Sequence, residues 1–96
     1  MNLMDYIKEC HYNAQVKGFY DEPLPFPAQI MLIVTELAEA VEADRNGDWY
    51  ALREELADVA IRLFDLCGYL SIDLDAEVRR KMDINAGRER KHGKEY

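Results

Sequence analysis

The sequence predicts an all-α fold built as a four-helix bundle unit. Apolar residues recur every three or four positions in four separate segments, which is typical of helices. No segment shows the strict alternation of a half-buried strand. Glycine, proline and short polar clusters fall between the segments, where turns are expected. At 96 residues the chain has the length of one domain, so we assign residues 1–96 to a single unit.

The first two helices are separated by a loop rich in proline. The first helix is expected over about residues 2–17, where Leu3, Ile7 and Cys10 share one face. The stretch GFYDEPLPFP follows, and its one glycine and three prolines predict a loop. Pro27 suits the first turn of the second helix, where a missing N–H costs nothing. We expect that helix to run to about Arg45.

Two short turns, residues 46–48 and 71–73, separate the remaining helices. Asp48 and Asp73 can cap the helices that follow them, because a short side-chain oxygen accepts from an early backbone N–H. The third and fourth helices are expected over about residues 49–70 and 74–86. Because both turns are short, we expect the second and third helices, and the third and fourth, to be antiparallel neighbours.

The charge of the chain is divided unevenly. The net charge is −7, which argues against binding to a nucleic-acid polymer, because such proteins present a basic surface. Residues 1–78 hold 5 Lys/Arg and 16 Asp/Glu, whereas residues 79–96 hold 7 Lys/Arg and 3 Asp/Glu. An acidic body with a basic tail suits a ligand that is both anionic and metal-bound.

The cysteines and the first residues predict a cytoplasmic protein. Cys10 and Cys67 are the two cysteines, and we interpret them as reduced thiols. The opening MNLMDYIKEC lacks the basic and apolar regions of a secretory signal. No apolar run approaches 18 residues, so no membrane partner is expected.

A ladder of glutamates runs along the second helix in the segment TELAEAVEA. At about 100° per residue, Ile30 and Leu37 define the expected core side. Glu36 lies at the margin of that side, Glu39 about 60° further out and Glu42 about 120° out. We therefore expect Glu36 to be half-buried and Glu42 to be solvated.

The third helix carries a similar acid pair. Its expected apolar stripe comprises Leu52, Leu56, Val59, Leu63 and Leu66. Glu55 lies at the margin of the stripe, and Asp58 lies about 60° outward. Two adjacent helices thus each present two carboxylates at a spacing of three residues.

Four such carboxylates predict a magnesium site, with Mn²⁺ as a possible replacement. Without a cation they would repel each other and resist desolvation. Mg²⁺ takes oxygen ligands and retains positions for water and phosphate. The alternative is a solvated acidic face, since single acid pairs are common on helices. An iron site would use Glu-x-x-His pairs, and neither His11 nor His92 stands in that relation.

The segment KMDINAGRERKHGK adds cations to the end of the chain. Lys81 and Asn85 share one helical face, and Arg88 follows about one turn later. Lys91 and Lys94 extend the basic character. Such residues bind phosphate oxygens, although a solvated basic end favourable to the helix dipole is the alternative.

These motifs together resemble one protein family. ELAE at 36–39 followed by ELAD at 55–58 is similar to the ExxE…ExxD signature of the all-α NTP pyrophosphohydrolases, the MazG and dCTP pyrophosphatase group. The similarity extends to KGFYDEP at 17–23, ADRNGD at 43–48 and the basic segment at 81–94. It therefore covers most of the chain.

The resemblance implies a four-helix unit that pairs into a dimer or a dimer of dimers. It also implies Mg²⁺-dependent hydrolysis of a nucleoside or deoxynucleoside triphosphate to the monophosphate and pyrophosphate, in nucleotide-pool control or house-cleaning. The residues that match the metal ligands are Glu36, Glu39, Glu55 and Asp58. Those that match phosphate and sugar contacts are Lys81, Asn85 and Arg88, with Lys91 and Lys94 as weaker matches. We expect Glu36 or Glu39 to orient the attacking water.

The base of a nucleotide needs an aromatic surface on which to stack. The candidates are the aromatic residues near helix ends, Phe19, Tyr20, Phe26, Trp49 and Tyr50. Core packing or a subunit interface explains any single one of them better, but as a set they are candidates to stack on a base. Asn13 and Lys17, near the end of the first helix, could contact the edge of the base.

Two other functions are compatible with the sequence. A catalytically silent helical dimerisation module would use the acids only as a solvated face. A phosphoribosyl-ATP pyrophosphatase would use the same metal chemistry on another substrate. The second helix has apolar residues on more than one side, which predicts a dimer or tetramer whichever function is correct.

Overall fold

The structure is a computed structural model, and it describes residues 1–88. The predicted substrate contacts Lys91 and Lys94 lie outside these residues. The described part of the chain is all-helical and contains no strand. Its four helices are α1 (Leu3–Val16), α2 (Phe26–Arg45), α3 (Trp49–Tyr69) and α4 (Leu74–Ala86). The predicted boundaries agree with these limits to within about one residue.

Side-chain caps begin three of the helices. Asn2 and Asp5 form a reciprocal capping box at α1. Asp48 and Asp73 each accept a hydrogen bond of 3.0 Å from the backbone N–H three residues later. Both predicted caps are thus confirmed. A proline in the first turn of α2 replaces a cap there, as expected.

Helix α3 is the centre of the packing. It contacts α2 over the largest interface and α1 over a slightly smaller one. Helix α4 contacts α1 over a small area, and none of its residues is buried. The expectation that α3 and α4 pack along each other is therefore wrong for the single chain, because α4 turns away after the 71–73 connection.

The buried face of α2 differs from the predicted one. Gln29, Glu36, Ala40 and Ala43 are buried, at the helical spacings of seven, four and three residues. The expected core positions on the other face are exposed: Ile30 at 38%, Leu37 at 45% and Val41 at 54%. The small alanines allow α2 to approach α3 closely, and the larger apolar side chains are left on the outside.

Helix α3 also has large apolar side chains on its exposed surface. Leu66 of the predicted stripe is buried, but Leu56 is 51% exposed and Leu63 is 37% exposed. The Cα radius of gyration is 15.7 Å, larger than the roughly 12–13 Å expected for a compact domain of this length. The single chain therefore leaves much of its apolar surface uncovered.

None of the helices within residues 1–88 combines the length and the apolar character that a membrane span requires.

Candidate functional site

Three glutamates from two helices converge where α2 packs on α3. Glu36 and Glu39 lie one turn apart on α2, and Glu55 lies on α3. One carboxylate oxygen from each lies within 4.8 Å of those from the other two. We call Glu36, Glu39 and Glu55 the glutamate cluster. Glu36 is buried, Glu55 is half-buried and Glu39 is exposed, so the cluster extends from the helix interface to solvent.

Glu36 is held by an arginine from α3. Its Oε1 accepts a hydrogen bond of 2.8 Å from Nε of Arg62. The Glu36 side chain is only 10% exposed, whereas that of Arg62 is 36% exposed. The Arg62 guanidinium, acting against desolvation, lowers the pKa of Glu36 below its usual value. The buried carboxylate is therefore ionised and fixed in orientation.

Glu55 has the opposite electrostatic environment. Hydrogen bonding with the Glu39 and Glu36 carboxyls, together with desolvation, raises the pKa of Glu55 to about 7. Its Oε2 is buried, and no donor in the described chain reaches it. When all three groups are ionised, this oxygen faces other carboxylates without a proton or a cation between them. Either a proton on Glu55 or a bound cation can relieve that repulsion.

A cleft of about 610 Å³ opens beside the cluster. Its volume lies within the usual range of small-molecule sites. Residues of α1, the following loop, α2 and α3 form its wall. They are Cys10, Asn13, Ala14, Lys17, Gly18, Phe19, Glu36, Asp58, Ile61, Arg62 and Asp65. Glu36 belongs to both the cluster and this wall, so the cluster meets the cleft at Glu36.

The structure separates the predicted acids into three groups. Glu36, Glu39 and Glu55 are brought together. Asp58 is exposed and lines the cleft beside them, outside the group of oxygens within 4.8 Å. The Glu42 side chain is 65% exposed, and its Oε2 lies 4.0 Å from Nη1 of Arg45, which belongs to the same helix. The order of exposure agrees with the prediction, since Glu42 is solvated and Glu36 is not, but Glu36 is buried rather than half-buried because it lies within the buried face of α2 instead of at its margin.

Three of the predicted contacts to the base line the same cleft. Asn13 and Lys17 reach it from the end of α1, and Phe19 reaches it from the loop that follows. Trp49 lies elsewhere, 64% exposed at the start of α3 beside a small surface depression. The single chain therefore joins Phe19, but not Trp49, to the acidic site.

The predicted phosphate contacts of α4 lie away from the cleft in the single chain. Lys81 and Asn85 are exposed on α4, and Arg88 is exposed just after it. None of the three is part of the wall of the 610 Å³ cleft. Their role in binding substrate stays a prediction.

Sequence reasoning missed two residues that organise the cleft, Arg62 and Asp65. Arg62 binds Glu36, as described. Asp65 Oδ1 lies 2.9 Å from His11 Nδ1 and accepts a hydrogen bond of 2.9 Å from the Tyr20 hydroxyl. Both residues follow Asp58 at the spacings of four and seven that share one helical face. This spacing could have indicated from the sequence that Arg62 and Asp65 lie on the same face of the helix as Asp58.

Tyr20 is fixed by more than its hydroxyl. Its ring stacks on Tyr69 with centroids 4.8 Å apart and meets the edge of His11 at 5.1 Å. Burial, together with the hydrogen bond to Asp65, raises the pKa of Tyr20, so the hydroxyl remains a donor. These contacts fasten the loop that carries Phe19 to α3.

The residues present fit a hard divalent cation. Such ions prefer carboxylate oxygens, and the glutamate cluster offers three from two helices. A cation there would also supply the partner that Glu55 Oε2 lacks. The open cleft leaves room for water and for a ligand to complete the coordination.

Comparisons with protein-family models, curated proteins and solved structures found no match to this chain.

Proposed function

We propose that this protein is a Mg²⁺-dependent nucleoside triphosphate pyrophosphohydrolase. One observation carries the proposal: a cluster of three glutamates, one with an unpartnered buried oxygen, meets through Glu36 a cleft that is also lined by cationic and aromatic side chains. This combination suits a ligand with a phosphate chain and a planar base. The resemblance to the all-α NTP pyrophosphohydrolases supports the same reaction.

The carboxylates supply the metal site. Glu36, Glu39 and Glu55 would hold the cation, and Asp58 lies on the same cleft wall to hold a coordinated water or complete the ligand set. When bound, the cation would neutralise charge that develops on the phosphate oxygens as the bond to pyrophosphate breaks. Mn²⁺ has similar oxygen preferences and is expected to replace Mg²⁺.

The two glutamates of α2 have different roles in this proposal. Glu36 is committed through Oε1 to Arg62, so it serves as a fixed ligand. Glu39 is exposed to solvent and adjoins the same cluster, so it is better placed to orient the attacking water. The attack forms the bond to the α-phosphorus and releases pyrophosphate, leaving the nucleoside monophosphate.

The end of α1 and its loop supply the nucleoside side of the cleft. Phe19 offers a ring on which a base can stack, and Asn13 offers an amide that can bond to its edge. Because Tyr20 ties this loop to Asp65, the ring of Phe19 is held next to the cleft.

We further propose that two or more copies assemble. Ile30, Val34, Leu37 and Val41 form an exposed stripe along one face of α2, which we call the α2 stripe. Exposed apolar surface of this extent marks association surfaces. A second copy is the partner favoured by the family resemblance.

The proposal is tested by pyrophosphate release from a panel of ribo- and deoxynucleoside triphosphates, assayed with Mg²⁺ and with EDTA. The expected result is release of pyrophosphate and monophosphate from at least one substrate, abolished by EDTA. Including phosphoribosyl-ATP in the panel separates that activity from hydrolysis of ordinary nucleotides. A folded protein that hydrolyses none of these substrates would instead support the dimerisation module.

A further inference from the structure

Two cationic side chains from the described residues line the cleft, Lys17 and Arg62. The phosphate contacts expected from the sequence are on or beside α4 and are not part of this wall. In the single chain, the cations available to a phosphate chain beside the glutamate cluster are therefore Lys17 and Arg62, not the residues of α4. We propose that Arg62 binds a phosphate group of the substrate through its terminal nitrogens while its Nε holds Glu36. This inference rests on the proposed function.

The guanidinium of Arg62 has hydrogen-bond donors that Glu36 does not use. It carries five N–H groups in a rigid plane. Within residues 1–88, its hydrogen bonding is confined to the Nε–H that it donates to Glu36 Oε1 at 2.8 Å. The N–H groups of the two terminal nitrogens are therefore available to another acceptor. Phosphate oxygens are a good match, because two of these donors can bind in parallel.

The burial of the pair directs the free donors towards the cleft. The Glu36 side chain is 10% exposed, and it anchors one edge of the guanidinium at the helix interface. The Arg62 side chain is 36% exposed and belongs to the wall of the cleft. The edge that is not anchored is thus the part that a ligand in the cleft can reach.

This arrangement links a metal ligand to the substrate through one planar group. Glu36 fixes the position of the guanidinium, and the guanidinium in turn fixes the bound phosphate relative to Glu36. A lysine would keep the positive charge, but its single ammonium cannot reproduce the planar fork with two partners. Arg62 is therefore assigned as a substrate-binding residue in addition to a partner of Glu36.

The test measures equilibrium binding of two probes, Mn²⁺ alone and inorganic triphosphate in the presence of saturating Mn²⁺. Inorganic triphosphate has the phosphate chain but no base, so it isolates the proposed contact. Arg62→Gln is expected to weaken triphosphate binding on the order of 10- to 100-fold, the usual effect of losing charged hydrogen bonds. Its affinity for Mn²⁺ alone should fall by a smaller factor than its affinity for triphosphate, because Glu36, Glu39 and Glu55 remain as ligands although Glu36 loses the group that orients it.

Two further variants make the result specific. Arg53→Gln removes the same charge from an exposed position of α3 outside the cleft, so it should leave triphosphate binding unchanged. Arg62→Lys keeps the charge beside Glu36 and covers the case in which Arg62→Gln does not fold. It should still weaken triphosphate binding about 5-fold or more, since the bidentate contact is lost.

Each other outcome overturns the inference. Unchanged triphosphate affinity in both Arg62 variants would show that Arg62 does not touch phosphate. An equal loss of affinity for Mn²⁺ alone would show that Arg62 acts only by orienting Glu36. A wild-type protein that hydrolyses nucleotides while its Arg62 variants bind triphosphate normally would retain the proposed function and lose this inference. A wild-type protein that binds neither probe would overturn both.

Discussion

His11 on α1 and Asp65 on α3 are joined by a hydrogen bond of 2.9 Å between Nδ1 and Oδ1. The contact is possible because α1 and α3 approach closely at Gly68. A Cβ added at Gly68 would lie 2.6 Å from His11 Cβ and 3.3 Å from the Ile7 carbonyl oxygen. The absence of a side chain at one position of α3 thus allows the polar contact that organises one end of the cleft.

Gly68→Ala should destabilise the protein despite the better helix propensity of alanine. The added methyl group must push α1 away, and such overpacking costs about 1–3 kcal/mol, against a gain of up to about 1 kcal/mol from propensity. Urea denaturation measures the difference in the free energy of unfolding. Gly87→Ala is the matched control, because the nearest atom to its Cβ is 3.7 Å away. Equal stability of the two variants would contradict the close approach described here.

Divalent metal should stabilise the fold. A cation that binds the folded glutamate cluster and not the unfolded chain adds about 2.7 kcal/mol at 100 times its dissociation constant. Thermal unfolding in EDTA and in saturating Mg²⁺ or Mn²⁺ measures the shift in midpoint. The comparison needs NaCl at matched ionic strength, because salt alone screens repulsion in a chain of net charge −7. Midpoints that coincide at matched ionic strength would argue against a metal site.

Stability without metal should depend on pH through Glu55. Its pKa rises from 4.5 to about 7 in the folded protein, so the folded state binds a proton more tightly than the unfolded state. That contribution to stability is present below about pH 4.5 and is lost as pH rises towards 7. Glu36 behaves in the opposite way, because its pKa is lowered in the folded protein. It therefore stabilises the fold at pH values above its ordinary pKa, and this stabilisation is lost as pH falls.

Glu55→Gln separates these two effects. The amide cannot ionise, so the variant should unfold at a higher temperature than wild type in EDTA at pH 8 and close to wild type at pH 5. Differential scanning calorimetry at both pH values provides the measurement. Glu54→Gln, at the exposed neighbouring position, is the control and should not show this pH dependence. A constant difference between Glu55→Gln and wild type at both pH values would contradict the raised pKa.

The glutamates of α2 should differ in their effect on turnover. Glu36→Gln and Glu39→Gln should each lower pyrophosphate release about 100-fold, the usual cost of losing a metal ligand or a general base. Glu42→Gln should stay within a few-fold of wild type, because Glu42 is exposed and lies outside the cluster. Circular dichroism checks that each variant is folded. A large loss in Glu42→Gln would move the functional pair to Glu39 and Glu42.

The protein should associate through the α2 stripe. Multi-angle light scattering at micromolar concentration should give a mass well above the 11.2 kDa of one chain. Leu37→Glu places a charge in the middle of the stripe and should lower the measured mass or prevent assembly. Thr35→Glu adds the same charge to an exposed position about 140° from Ile30 around the helix and should have little effect. A folded wild-type protein of 11 kDa would exclude this assembly.

Much of the secondary structure was predictable because its causes are local. Asp48 and Asp73 cap the helices that begin beside them, and Gly47 has a φ of +68° where α2 ends. Each of these features depends on atoms within a few residues. The contrast between Glu36 and Glu42 was also predicted from angles around a single helix, although the core side assumed for that prediction was the wrong one.

The sequence by itself determined the helices, their ends and the acids that could converge. Only the tertiary structure decided which face of α2 is buried, since burial of Glu36 depends on Arg62, which is 26 residues away in sequence. A charged group can occupy an interface when a partner from another helix compensates its desolvation, and the apolar α2 stripe can then face outward. No periodicity within α2 contains that information, because the partner belongs to α3.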